Sequence, residues 1–183
     1  MVLPIYVFGH PVLRKVAKDI DKDFPDFDNF MNNMWETMYK TDGVGLAAPQ
    51  IGQSIRVFVL DAGDMAEDFP EAEGFKSAFI NAKIVEETGE DWAFNEGCLS
   101  IPNIREDVKR KSSIKIQYYD QDWNYHEKVY DGVIARIIQH EYDHLEGKMF
   151  TDRLSPIKRR LLKSKLAAIS KGKVSIKYKI ITA

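Results

Sequence analysis

His140 and His144 stand four residues apart, with Glu141 directly after the first, in the run Val133-Ile-Ala-Arg-Ile-Ile-Gln-His140-Glu141-Tyr-Asp143-His144-Leu-Glu-Gly147. On a helix, imidazoles at i and i+4 share a face and can hold one cation between them. A carboxylate one residue along can then act on a water at that cation. The same face carries Val133, Ile134, Ile137 and Ile138, and steps of three and four from Ile137 reach His140, Glu141 and His144. That stripe points at a core. Three ionisable groups buried there without partners would be strongly destabilising, and a metal ion removes the problem. Two surface histidines beside an ion-paired glutamate are the plainer alternative, and the burial argument counts against it.

Two histidines do not close a catalytic metal site, which usually has three protein ligands and one open position. After His144 the only acidic residues are Glu146 and Asp152, both poorly spaced, and Phe150 stands six residues on, where a third histidine could have been. Upstream, Asn95-Glu-Gly-Cys98-Leu-Ser100 contains the only cysteine, next to a glycine that lets backbone approach closely. A lone thiol is more often a small buried hydrophobe. Beside a helix short of one donor, the ligand reading is favoured. A Cys98, His140 and His144 set suits a divalent transition metal, Zn or Fe(II) over hard cations.

A third segment, Thr41-Asp-Gly43-Val44-Gly45-Leu46-Ala-Ala-Pro-Gln50-Ile51-Gly52, contains a G-x-G-x-x-A string. A dinucleotide fingerprint needs a strand before it and a helix after it. Here a helix precedes and Pro49 follows, so that reading is rejected. The glycines instead let backbone run close to a ligand or take a positive φ. Gln50 is then a candidate amide donor toward a developing oxyanion. The plainer reading is a turn with a surface glutamine.

The elements that must position these groups are legible in outline. Pro11 opens a short helical piece to Ala17, and a helix spans about Asp26 to Lys40 with Phe27, Phe30, Met31, Met34 and Met38 at helical spacing. Ile55–Leu60, Phe79–Glu86 and Ile114–Tyr119 read as strands. Asp120–Asn124 is a turn leading to a further strand, Tyr125–Tyr130. Asp61–Gly74 is acidic and reads as a surface loop. The histidine helix runs from Gly132 to Glu146 with Gly147 as its cap, and Ser155-Pro156 starts another helix. Val174–Ile181 alternates like an edge strand. The expected fold class is α+β: one domain over 1–183, mostly antiparallel sheet around a central metal-binding helix, with a basic helix and strand from about residue 155.

Composition narrows the rest. The chain has 183 residues, 44% hydrophobic and 30% charged, with a net charge of −2. That is enough for a full core. One cysteine excludes an intrachain disulfide framework, no apolar run has the length of a membrane span, and the N-terminus lacks the basic start of a secretory signal. The expected address is the cytoplasm. The charge is asymmetric: nine of the 26 basic residues and none of the 28 acidic ones lie after Ser155. Such a tail suits an anionic partner, the plainer reading being a solvated basic helix face.

Together, Gly43-Val-Gly-Leu-Ala-Ala-Pro-Gln50, Glu96-Gly-Cys-Leu-Ser100 and Gln139-His-Glu-Tyr-Asp-His-Leu-Glu-Gly147 resemble the three signature motifs of the peptide deformylases, complete and in that family's order. Pro11-Val-Leu-Arg-Lys15 and Leu154-Ser-Pro-Ile157 extend the likeness over most of the chain. The resemblance implies removal of the N-formyl group from the initiating methionine of new polypeptides, with release of formate. It implies Cys98, His140 and His144 as ligands of one metal ion, Fe(II) expected and Zn, Ni or Co as replacements. Glu141 would be general base then acid, and Gln50 with the Leu99 N–H would hold the oxyanion. Gly43, Val44, Gly45, Leu46 and Gly97 would meet substrate, Gly45 through backbone hydrogen bonds to an added strand. Ile51 and Ile137 are expected as walls of the methionine pocket, although core packing serves equally, and Arg105 as a substrate contact, for which a solvated arginine is the plainer and favoured reading. His10 and His126 receive no role.

The implied partners are N-formylmethionyl nascent peptides and, through Lys158 to Lys179, ribosomal RNA. No membrane partner is implied, and the oligomeric state is open. One competing reading is a zinc metallopeptidase on the same helix, which needs a third ligand after His144. Another is a non-catalytic metal-stabilised binding domain, which gives Glu141 and Gln50 nothing to do.

Overall fold

Strand β1 (Ile5–Tyr6) precedes helix α1 (Phe27–Lys40) in the computed structural model, which describes residues 1–183. Strands β2 (Gly45–Ala47), β3 (Val57–Asp61), β4 (Lys76–Cys98), β5 (Ile101–Tyr119) and β6 (Tyr125–Asp131) follow, then helix α2 (Gly132–Leu145), helix α3 (Pro156–Ser170) and strand β7 (Ile180–Ile181). Strands β2 to β6 form one antiparallel sheet in sequence order, and β1 pairs with β7 in a separate parallel pair. The architecture is α+β, as the motif spacing implies.

Helix α2 is the central element. Val133, Ile134, Ala135, Ile137, Ile138 and Leu145 are buried in a cluster with Phe58, Phe79 and Ile116 of the sheet. Full burial of each large apolar side chain stabilises by roughly 1.5–3 kcal/mol. The helix ends in a Schellman arrangement: Lys148 N–H donates to Asp143 O at 2.9 Å and Gly147 takes φ +68°. Glycine is required here, since a Cβ would come 2.6 Å from Arg14 O.

Helix α1 ends the same way with Asp42 at φ +57° and Gly43 N–H donating to Met38 O at 3.0 Å. Its buried residues, Met31, Met34, Thr37 and Met38, recur at helical spacing. This cap delivers the chain directly into β2.

Four expectations need correction. Strands β4 and β5 run far beyond Phe79–Glu86 and Ile114–Tyr119, because the added stretch carries no unbroken apolar alternation: its buried positions mix Glu96 and Arg110 with Ile104 and Val108. It is marked instead by opposite-charge cross-strand pairs such as Asp91 with Lys111. The first helical piece is only a 3₁₀ turn, Pro11–Arg14. The acidic segment Asp61–Gly74 contains two 3₁₀ turns whose Ala62 and Ala72 are fully buried, while Met65 and Phe69 pack on the core. The alternating C-terminus pairs only at Ile180–Ile181. The basic helix α3 is as expected, with Ser155 Oγ accepting from Lys158 N–H.

Candidate metal centre and its cavity

Cys98 is the last residue of β4, and His140 and His144 lie one turn apart on α2. Their ligand atoms, one sulfur and two nitrogens, all lie within 4.8 Å of one another. Cys98 Sγ is 3.4 Å from His144 Nε2. A tetrahedral site with metal–sulfur and metal–nitrogen bonds of about 2.3 and 2.1 Å has a sulfur–nitrogen edge of about 3.6 Å. The donor set therefore fits a thiophilic divalent metal. The surroundings agree: Glu141 Oε2 is buried without a hydrogen-bond partner, a position polar atoms rarely occupy.

Behind the ligands lies a network that sequence reasoning missed. His140 Nδ1 and Glu96 Oε1 are 2.8 Å apart. Arg110 grips Glu96 with Nε and Nη2 at 2.8 and 2.9 Å, and Arg136 Nη1 adds a bond to Glu96 Oε2 at 2.9 Å. Arg110 Nη1 then reaches Asp143 Oδ2 at 2.7 Å, and Arg153 holds the same carboxylate with Nε and Nη2 at 2.7 and 2.8 Å. With Nδ1–H committed to Glu96, His140 presents Nε2 to a metal. One signal was readable: Glu96 and Cys98 share a strand face, two residues apart.

Charge follows from this geometry. Burial opposes ionisation of Glu96, but Arg110 and His140 outweigh it and hold its carboxyl well below the usual range. Asp143 is likewise lowered against its burial by Arg153 and Arg110. Burial also pushes the Cys98 thiol up, and the charge of His144 and hydrogen bonds from both histidines bring it down to about 5. His140 is raised well above the ordinary imidazole range: burial works the other way and is overcome by Cys98 and Glu96. Both shifts favour a thiolate beside an imidazolium in the metal-free protein. Burial raises Glu141 to about 7 despite both histidines.

Cys98 and His140 open on a cavity of about 470 Å³. Gly43, Val44, Gly45, Gln50 and Leu99 line it on one side, and Gly97, Arg105, Ile137, His140 and Glu141 on another. Gln50 is oriented by its own turn: Oε1 accepts from Ala47 N–H at 2.9 Å, so Nε2 faces Ser100 Oγ at 3.2 Å and Cys98 Sγ at 3.5 Å. Strand β2 is an edge strand. Val44 O accepts from Asp61 N–H at 2.9 Å, so by antiparallel alternation Val44 and Leu46 face β3. Gly45 between them turns its N–H and C=O to the open edge. Gly97 is covered by Arg105, whose guanidinium is held by Asn95 Oδ1 and O at 2.8 and 3.0 Å.

Two expected pocket residues are elsewhere. The side chains of Ile51 and Leu46 are buried in the cluster beneath α1, with Met31 and Val57, because their turn and strand face away from the cavity. Phe94, Met65 and Arg136 stand with Ile137 instead, and Ile176 and Tyr178 close another side. Tyr178 is pushed up to about 12 by burial and the Cys98 charge. Of the remaining histidines, His10 caps the first turn by accepting from Val12 N–H, and His126 pairs with Asp120 at 2.7 Å across the β5–β6 turn. A larger open groove of about 690 Å³ beside Trp35 and His126 contains none of the metal donors.

Residues 2–160 match the sequence model of the family described as polypeptide deformylase. The peptide deformylase of Christiangramia forsetii is 56% identical over 187 aligned positions, covering 98% of this chain and 95% of the relative. That of Flavobacterium johnsoniae is 52% identical with the same coverage. Among solved structures, the Thermotoga maritima peptide deformylase superposes with a TM-score of 0.76 at 42% identity, covering 85% of this chain and 99% of that one. No helix is long and apolar enough to cross a membrane.

Proposed function

The chain belongs to the peptide deformylase family of enzymes, and from that premise we propose that it removes the N-formyl group from the first methionine of newly made polypeptides and releases formate. The observation that carries this reading is the convergence of Cys98, His140 and His144, with Cys98, His140 and the unpaired Glu141 carboxylate lining one cavity. Cys98, His140 and His144 would hold a divalent cation, and such an ion would supply Lewis acidity at this site. The thiolate and imidazole donors suit Fe(II) as the cellular metal, with Zn, Ni or Co as replacements.

The protein's own groups do the rest. Glu141 takes the proton of the attacking water and returns it to the departing amine, a task matched to a carboxyl that titrates near neutrality. Gln50 Nε2 and the Leu99 N–H donate to the oxyanion; removing one such donor typically lowers turnover about 10²–10³-fold. The open backbone edge at Gly45 aligns the substrate as an added strand, with Gly43, Val44 and Gly97 along its path. Ile137, Phe94 and Met65 face the methionine side chain, and Arg105 meets the peptide beyond it. The enzyme acts in the cytoplasm, and the exposed basic residues of α3 and the tail, from Lys158 to Lys179, contact ribosomal RNA.

Protein loaded anaerobically with Fe(II), or with Ni, is expected to release formate from formyl-Met-Ala-Ser. Absence of formate with either metal would remove this reading.

A further inference from the structure

The segment after α3 lies beyond residue 160, where the family match ends. Three anchors fix it. Ile5 N–H donates to Lys179 O at 2.9 Å and Val7 N–H to Ile181 O at 3.1 Å. Asn103 Nδ2 donates to Ser175 O at 3.2 Å. Tyr178 Oη donates to Leu99 O at 2.8 Å. Between these anchors Ile176 and Tyr178 form part of the cavity that contains Cys98, Gln50 and Glu141.

Leu99 sits in the two-residue connection, Leu99-Ser100, between the paired residues Cys98 and Ile101. Its N–H and C=O are outside the ladder of that hairpin, so neither is set by sheet pairing. A half-buried tyrosine hydroxyl needs a partner, and here the Leu99 carbonyl is that partner. The bond ties the backbone beside the metal ligand to a segment held at both ends. Donors to a developing charge act only when their placement is pre-set.

We propose that this C-terminal segment is part of the active site, with Tyr178 a positioning residue for the Leu99 backbone and Ile176 an apolar wall against the substrate. The inference rests on the deformylase reading, in which the Leu99 N–H meets the oxyanion.

The test uses the full metal-loaded chain with formyl-Met-Ala-Ser. Tyr178→Phe keeps the ring and removes one hydroxyl; kcat is expected to fall about tenfold with KM within about twofold, since donor placement and not binding is loosened. Ile176→Ala is expected to raise KM about fivefold and leave kcat, as lost apolar contact acts on substrate and transition state alike. A fall in melting temperature for Tyr178→Phe with kcat intact would mean a merely structural role and overturn the inference. Turnover by the unaltered chain tests the deformylase reading separately. If that turnover is absent, the cavity wall is still read from the metal-free protein, where Ile176→Ala should speed iodoacetamide alkylation of Cys98 about threefold by widening access. Variants that match the parent in kcat, KM and alkylation rate would overturn it.

Discussion

The carboxylate of Glu141 lies against the Cα of Gly45: a Cβ built on Gly45 would come 2.5 Å from Glu141 Oε1 and 2.9 Å from its Cδ. Gly45 is not at a positive φ, so glycine is needed there for space. The strand whose open edge faces the cavity and the helix that carries the base are in contact at this point. In the proposed mechanism, substrate alignment and proton transfer therefore share one contact.

Gly45→Ala should displace the Glu141 carboxylate, and kcat/KM is expected to fall about 10²-fold, the usual consequence of misplacing a reacting group by about 1 Å. Metal content, read by elemental analysis, should stay at the parent level because the atoms nearest the added methyl all belong to Glu141 and not to a ligand. Parent-like kinetics would sink the steric argument.

The arginine and carboxylate network makes an acid-sensitive core. Glu96 and Asp143 are held below their ordinary range in the folded protein, so on acidification the unfolded chain takes up protons first. The stability they contribute is present above about pH 4.5 and is lost as pH falls toward their folded values. Urea unfolding between about pH 3 and 7 should show that slope, and Glu96→Gln should flatten it. Arg110→Met takes one partner from each carboxylate, leaving Arg136 on Glu96 and Arg153 on Asp143, and should destabilise by about 3 kcal/mol.

Glu141 has the opposite sign. Its folded value of about 7 lies above that of the unfolded chain, so its contribution is fully present below about pH 4.5 and is lost as pH rises through 7. In metal-free protein at about pH 8, Glu141→Gln should therefore stabilise by up to about 3 kcal/mol. The gain should shrink in acid. A variant no more stable than the parent in alkali would contradict the burial of an unpaired carboxylate.

Removing the metal should expose a reactive thiolate. With Cys98 lowered to about 5, alkylation of the metal-free chain should stay fast down to about pH 6, where an ordinary thiol near 8.5 has stopped reacting. Reloading Ni should block the reaction. A rate that climbs only above about pH 8 would argue against the thiolate and imidazolium pair.

Much of this protein was readable in its residues. The i, i+4 histidines on an apolar stripe predict a buried metal helix, and α2 buries Val133, Ile134, Ile137 and Ile138 on that stripe. Asp42-Gly43 predicts the end of α1, and both caps occur where local backbone chemistry places them. The outer hairpin of β4 and β5 was not readable, because its inward positions mix charged Glu96 and Arg110 with Ile104 and Val108, which breaks the apolar alternation that marks a strand. Ile51 and Leu46 could not be told from pocket walls, since an apolar residue beside a motif faces core or cavity according to partners remote in sequence.

What the sequence determined by itself was the chemistry: a thiol, two imidazoles, a carboxylate and an amide of the right kinds, on elements whose periodicity and caps are local properties. Only the tertiary structure decided which charges stand behind them. Arg110 and Arg153 reach Glu96 and Asp143 across the sheet and the turn after α2, and Tyr178 comes back from the far end to Leu99. Long side chains choose such partners by proximity after folding, and no local pattern encodes a contact that the packing of distant segments creates.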